Sequence, residues 1–155
     1  FGAPTPPLPK PAPPLPRSKK FLAIICHMTQ KQIINRWLKG SKDAWDTAEK
    51  LMAAKKFDHS LFFIHLALEK IIKAVFIKKN NTFAPLIHNL AKLAETSGIL
   101  LTAKQKSQLN EATEFNASGR YEDYKFKLYK KATPVFTKKW HQEAKLLLAY
   151  FQKEL

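Results

Sequence analysis

From Thr29 to the end of the chain, apolar residues recur every three or four positions, and no segment carries the two-residue alternation of a strand. Thr29 with Gln32 reads as a capping box opening a helix over 30–55, whose apolar stripe is Ile34, Trp37, Leu38, Trp45, Ala48, Leu51 and Met52. Gly40-Ser41 lies inside it and is expected to bend or loosen it. A second helix is predicted over 58–78, ending at Asn80-Asn81. Leu61, Ile64, Leu68, Ile71, Ile72 and Val75 form one face, and Phe62, Phe63, Leu66, Phe76 and Ile77 cover much of the rest. A helix apolar on nearly every side must be buried, in the middle of a bundle or across a subunit interface. Pro85 suits the first turn of a third helix with Leu86, Ile87, Leu90 and Leu93 in the core and Gly98 as its stop. Thr102 with Gln105 makes another capping box for a fourth helix to about Asn116, which Ser118-Gly119 breaks. Residues 120–132 read as a short helix or an ordered loop. Thr133-Pro134 opens the last helix, with Val135, Trp140, Ala144, Leu147, Leu148 and Phe151 inward. The pattern predicts an all-α fold, an up-down bundle of four to five helices.

The N-terminal stretch is of another kind. Residues 4–16 hold eight of the ten prolines, a composition that favours extended polyproline II and contains PxxP spacings able to dock an aromatic groove. The chain begins with Phe, and Met28 directly precedes the first capping box. The expected organisation is a disordered, basic, Pro-rich tail over 1–27, outside a natural fold that starts at Met28, and a helical domain over 28–155.

At 155 residues there is room for one domain with a genuine core. No apolar run approaches the roughly 20 residues of a membrane span, and the patch at 21–26 is too brief for an export signal, so a cytoplasmic protein with no membrane association is expected. The single cysteine, Cys26, excludes an internal disulfide and a Cys-based zinc site. Charge changes the picture more. The chain carries 27 Lys and Arg against 12 Asp and Glu, and only four of the basic groups lie in residues 1–27. A surplus of that size attracts polyanions through phosphate neutralisation, although lysines kept for solubility would look alike.

Two groups of residues carry candidate chemistry. His65, Glu69 and Lys73 are successive i,i+4 neighbours, a polar seam along the second helix, which His88 is placed to join. His65 reads as a partly buried ring bonded to Glu69 or as a general base; a buried Glu69 needs a partner from another helix, and Arg120 is the candidate. Residues 119–131 interleave aromatic and basic side chains. There Arg120, Lys125 and Lys127 offer phosphate contacts, and Tyr121 and Tyr124 offer stacking faces for nucleotide or RNA; an amphipathic helix with solvated lysines is the plainer reading. No metal motif and no phosphate-cradling glycine loop is present in the sequence, so neither metal nor cofactor is expected.

The run HLALEKIIKA at 65–74, the later Pro85-Leu86-Ile87-His88-Asn89-Leu90 and then Gly119-Arg120-Tyr121 resemble the HEPN family of small all-helical prokaryotic proteins, from Thr29 to the C-terminus. In the family's ribonucleases an Arg followed after four to six residues by a His forms the catalytic pair across a dimer. The resemblance maps that Arg onto Arg120, but Lys125, Phe126 and Lys127 stand where the His would be, and without an imidazole no group there titrates near neutrality. It therefore implies a non-catalytic member, of the branch encoded beside a minimal nucleotidyltransferase in toxin-antitoxin-like modules, binding nucleotide or RNA phosphate. A metal-independent endoribonuclease using Arg120 with His65 or His88, and a purely structural interaction bundle, are the alternatives. A homodimer is expected, because the second helix looks too apolar for its own neighbours to cover.

Overall fold

The computed structural model describes residues 28–116 and 122–155, and every element among them is helical: α1 Gln30–Ala53, α2 Phe57–Asn80, α3 Leu90–Thr96, α4 Ala103–Thr113, α5 Glu122–Lys131 and α6 Pro134–Lys153. The proposed tail over 1–27 lies outside the described residues. The start signals act as the sequence indicates. Thr29 Oγ1 accepts from Gln32 N at 3.3 Å while Gln32 Oε1 accepts from Thr29 N at 2.8 Å, and Thr102 with Gln105 repeats the exchange at 3.2 and 2.9 Å. Thr133 caps α6, with Pro134 in its first turn. None of these helices is long and apolar enough to cross a membrane.

α2 is the axis of the bundle. It packs most extensively on α1, then on α6, and touches α3, α4 and α5. Leu61, Ile64, Ala67, Leu68, Ile72, Ala74 and Val75 have no exposed surface. The single chain covers that face of the helix, while Phe62, Phe63 and Leu66 on its other side stay only half-buried. Among the described residues the large apolar side chains most exposed to solvent are Phe83, Leu86, Leu100, Phe126, Tyr129, Val135 and Leu146. Just past α4, Phe115 meets Trp140 of α6 edge to face, with ring centroids 4.9 Å apart.

Three local expectations are corrected. Gly40-Ser41 does not interrupt α1. Ser41 Oγ donates to Ala67 O at 2.7 Å in the interior, and Gly40 lets the Lys70 side chain lie against the helix, its ammonium donating to Gly40 O at 3.3 Å. The small pair serves close approach of α1 and α2. The third helix begins at Leu90 rather than around Pro85, because Asn89 accepts from Lys92 N at 2.9 Å and Thr113 Oγ1 takes the Leu90 N–H at 3.0 Å. Leu86 is consequently 82% exposed, outside the core. Val135, expected inward, is 81% exposed, on the solvent side of a first turn of α6 whose Phe136 and Thr137 face inward.

Ser60 ties three helices together. Its hydroxyl donates to Ala48 O at 2.8 Å, so its lone pairs face the His141 ring, whose Nε2 lies 2.8 Å away. A hydroxyl has one proton, so His141 Nε2 must carry the proton of that contact. The ring also packs on Trp45, with centroids 5.3 Å apart. Burial lowers the His141 pKa from 6.5, against a weaker opposing pull from Glu49. A depressed pKa means full stability above about 6.5 and a loss as pH falls below it, because the folded state must then charge a ring that the unfolded state charges freely. The melting temperature should therefore fall between pH 7.5 and 5.5, and His141→Phe, less stable at neutrality by about 1 kcal/mol, should show a smaller fall across that interval when followed by circular dichroism.

Candidate functional site

The seam on α2 is real, and its centre is Glu69. The carboxylate is 9% exposed and is shared by three nitrogen-bearing side chains. Lys73 Nζ donates to Oε1 at 2.5 Å, His65 Nε2 lies 3.2 Å from Oε2, and His88 Nδ1 lies 3.3 Å from the carboxylate. Burial alone would raise the Glu69 pKa; hydrogen bonds from His65 and Lys73, the Lys73 charge and the bond from His88 outweigh it and lower the pKa to about 2. His65 has no exposed surface, and its other nitrogen, Nδ1, faces Ala112 O at 3.1 Å. His65 thereby braces α2 against the end of α4.

His88 differs in every respect. It lies in the irregular stretch between α2 and α3, not in a helix turn as the Pro85 reading placed it, and its side chain is 64% exposed. One nitrogen is oriented by Glu69, and the ring faces water. Lys73 continues the seam outward: its ammonium sits 5.3 Å from the centroid of the Trp37 ring on α1. Among the described residues no group of His, Cys, Asp or Glu is arranged to hold a metal ion; the positive charge beside Glu69 is the Lys73 ammonium.

Arg120, Tyr121 and the side chain of Tyr124 lie outside the described residues, so the seam's proposed partner Arg120 cannot be placed against Glu69, whose described partners are His65, Lys73 and His88. The rest of the basic-aromatic segment is α5. Lys125 and Lys127 are exposed, Leu128 is buried, and Phe126 and Tyr129 present their rings to solvent. Lys130 Nζ stands 4.5 Å over the Phe126 ring, while Lys131 turns away to Glu111 at 2.7 Å. Phe126 and Tyr129 belong with this face although Tyr121 and Tyr124 drew attention first; the i,i+3 spacing of Phe126 and Tyr129, opposite the buried Leu128, is the signal that finds them. The Trp37 contact had no such local signal, since it joins residues 36 positions apart.

A family model described as HEPN domain matches residues 34–154. Comparison with curated proteins and with solved structures returned no match.

Replacing Glu69 tests the seam. Glu69→Gln keeps the shape but leaves the buried Lys73 ammonium without its counter-charge, which should cost on the order of 3 kcal/mol. The wild-type contribution is complete above about 4.5 and is lost as pH falls toward about 2; that interval corresponds to about 3 kcal/mol. Urea unfolding at pH 7 and pH 3 should show a large difference for the wild type and a much smaller one for Glu69→Gln.

Proposed function

The chain belongs to the HEPN domain family, and from that premise we propose that it is a non-catalytic, homodimeric member that binds nucleotide or RNA phosphate, acting in the cytoplasm beside a minimal nucleotidyltransferase in a toxin-antitoxin-like or defence module. The observation that carries the reading is α5. Exposed Phe126 and Tyr129 supply stacking surfaces, and Lys125, Lys127 and Lys130 supply charge along the same short helix. Arg120, with Tyr121 and Tyr124, extends that series in the sequence and adds a planar fork for a phosphate. A surface of this kind binds single strands without reading base edges, and its affinity falls with salt.

The non-catalytic part rests on two facts. Positions 125–127 hold Lys, Phe and Lys, none of which exchanges a proton near neutral pH in the manner of an imidazole. His65, one of two substitutes in the chain, is wholly buried with both nitrogens engaged, so it cannot reach a 2′-hydroxyl. One observation favours a second reading. His88 is exposed and held through Nδ1 by a carboxylate, the arrangement that leaves Nε2 as the basic nitrogen of a general base. A metal-independent endoribonuclease would then use Arg120 with His88.

Titration of fluorescently labelled single-stranded RNA by anisotropy at two salt concentrations distinguishes these readings. Arg120→Ala should weaken binding and reduce the salt slope by about one contact, and Lys125→Ala with Lys127→Ala should do so further. Unchanged binding and slope would remove this segment from the site. Cleavage of the same RNA in EDTA, abolished by His88→Ala, would establish the enzyme in place of the binding protein.

A further inference from the structure

A cavity of about 550 Å3 opens between the first half of α1, the second half of α2 and the stretch that follows α2. It is remote in sequence from α5. Its volume lies within the roughly 300–1,000 Å3 of small-molecule sites. The apolar walls are Met28 just before α1, Ile33 and Trp37 from α1, Ile77 from α2, and Phe83, Ala84 and Leu86 beyond it. Among the described residues Phe83 and Leu86 stand largely in solvent, so an occupant would cover apolar surface that these leave wet.

The same cavity is bordered by two cations and by no acid. Arg36 lies one turn before Gly40 on the same face of α1, and Lys70 reaches Gly40 O, using one of its three donors at 3.3 Å. Neither is in an ion pair among the described residues. Their neighbours on α1 differ: Lys39 is bonded to Asp43 at 2.7 Å and Lys42 to Asp46 at 2.6 Å. Asp43, the acid near enough to sense Lys70, is thus already committed to Lys39. Lys39 and Lys42 are thus matched on the solvent side, while Arg36 and Lys70 border the cavity with no acid beside them in its lining. Behind the wall, the Lys73 ammonium holds the Trp37 ring from the α2 side.

We propose that this cavity binds a medium-chain organic carboxylate, with its chain against Trp37, Ile33, Ile77 and Phe83 and its head between Arg36 and Lys70. The apolar wall supplies affinity for the chain, and the cation pair selects the sign of the head. A second copy of this chain fits less well, because a two-fold contact would bring the Arg36 and Lys70 of one copy toward those of the other.

The test uses the full chain and three probes below micellar concentration: decanoate, decyltrimethylammonium with a chain of the same length and the opposite charge, and acetate as the head alone. Calorimetry should give one decanoate per chain, binding at least about tenfold tighter than the cation, and no acetate binding; a charged hydrogen bond accounts for a factor of that size. Decanoate should change tryptophan emission in the wild type and not in Trp37→Phe. Arg36→Gln with Lys70→Gln should weaken decanoate by about tenfold at an unchanged melting temperature; should the pair melt lower, Arg36→Gln alone serves, with a smaller loss. Absence of binding, equal affinity for the two amphiphiles, many weak sites, or insensitivity to these variants would each overturn the proposal. So would a halving of the solution mass by Leu86→Ser with no decanoate bound to the wild type, which would assign the cavity to a second copy.

Discussion

Burying a carboxylate in the central helix of a small bundle imposes conditions on everything around it. Glu69 would be untenable in an apolar setting without compensation, since the desolvation of an isolated charge far exceeds the net stability of a domain this size. The compensation comes from three directions. Lys73 lies one turn along the same helix, His65 one turn back, and His88 reaches in from the connection to α3. Each partner then fixes something else: His65 the end of α4 through Ala112, Lys73 the Trp37 ring of α1, and His88 the path of the chain leaving α2. Apolar packing supplies most of the stabilisation, and the carboxylate determines which surfaces meet around it. Such a centre is specific rather than strengthening, because an apolar residue of like size often packs as well.

Much of this was legible in the sequence, for reasons that are local. Helix starts at Thr29, Thr102 and Thr133 are set by side chains within three residues, and the His65–Glu69–Lys73 series needs only the helical period. The inference that α2 must be buried was sound, and the choice between bundle and subunit interface could not be made from one helix alone. The start of α3 was misread because proline at 85 is a helix-start residue by propensity, whereas Asn89 gains both its own cap and a neighbour stabilised by Thr113, a contact 23 positions away in the sequence. Gly40-Ser41 was read by propensity as a weak point, and it is a close-contact surface because of Ala67 and Lys70 on another helix. Among the site residues, His88 meets Glu69 across 19 positions and Trp37 meets Lys73 across 36, separations at which periodicity carries no information.

The positive charge of the chain is distributed in a way that composition conceals. Several lysines are matched on the surface: Lys79 with Glu154, Lys106 with Glu95, Lys131 with Glu111. Pairs of this kind contribute little to stability, but they remove those lysines from the field available to a ligand. Two places bring positive charge beside exposed apolar surface, and they differ in character. On α5 the charge stands among exposed rings on a convex helix, a form suited to a flexible strand. Beside α1 it borders a concave apolar wall, a form suited to a small rigid or folded occupant. The family assignment concerns the fold that presents both and does not choose between them.

The Ser60 hydroxyl has a consequence beyond its own contacts. Apolar side chains along α2 are close to interchangeable, so a slide of that helix by one turn, about 5.4 Å, would replace most of them with others of similar shape. It would not replace Ser60. The slide would bring Lys56 or Ile64 against the Ala48 carbonyl and the His141 ring, stranding an acceptor and a donor in the interior. The hydroxyl thus works as an axial index mark: hydrophobic burial decides that α1, α2 and α6 lie together, and two hydrogen bonds in series, imidazole to hydroxyl and hydroxyl to carbonyl, decide at what height.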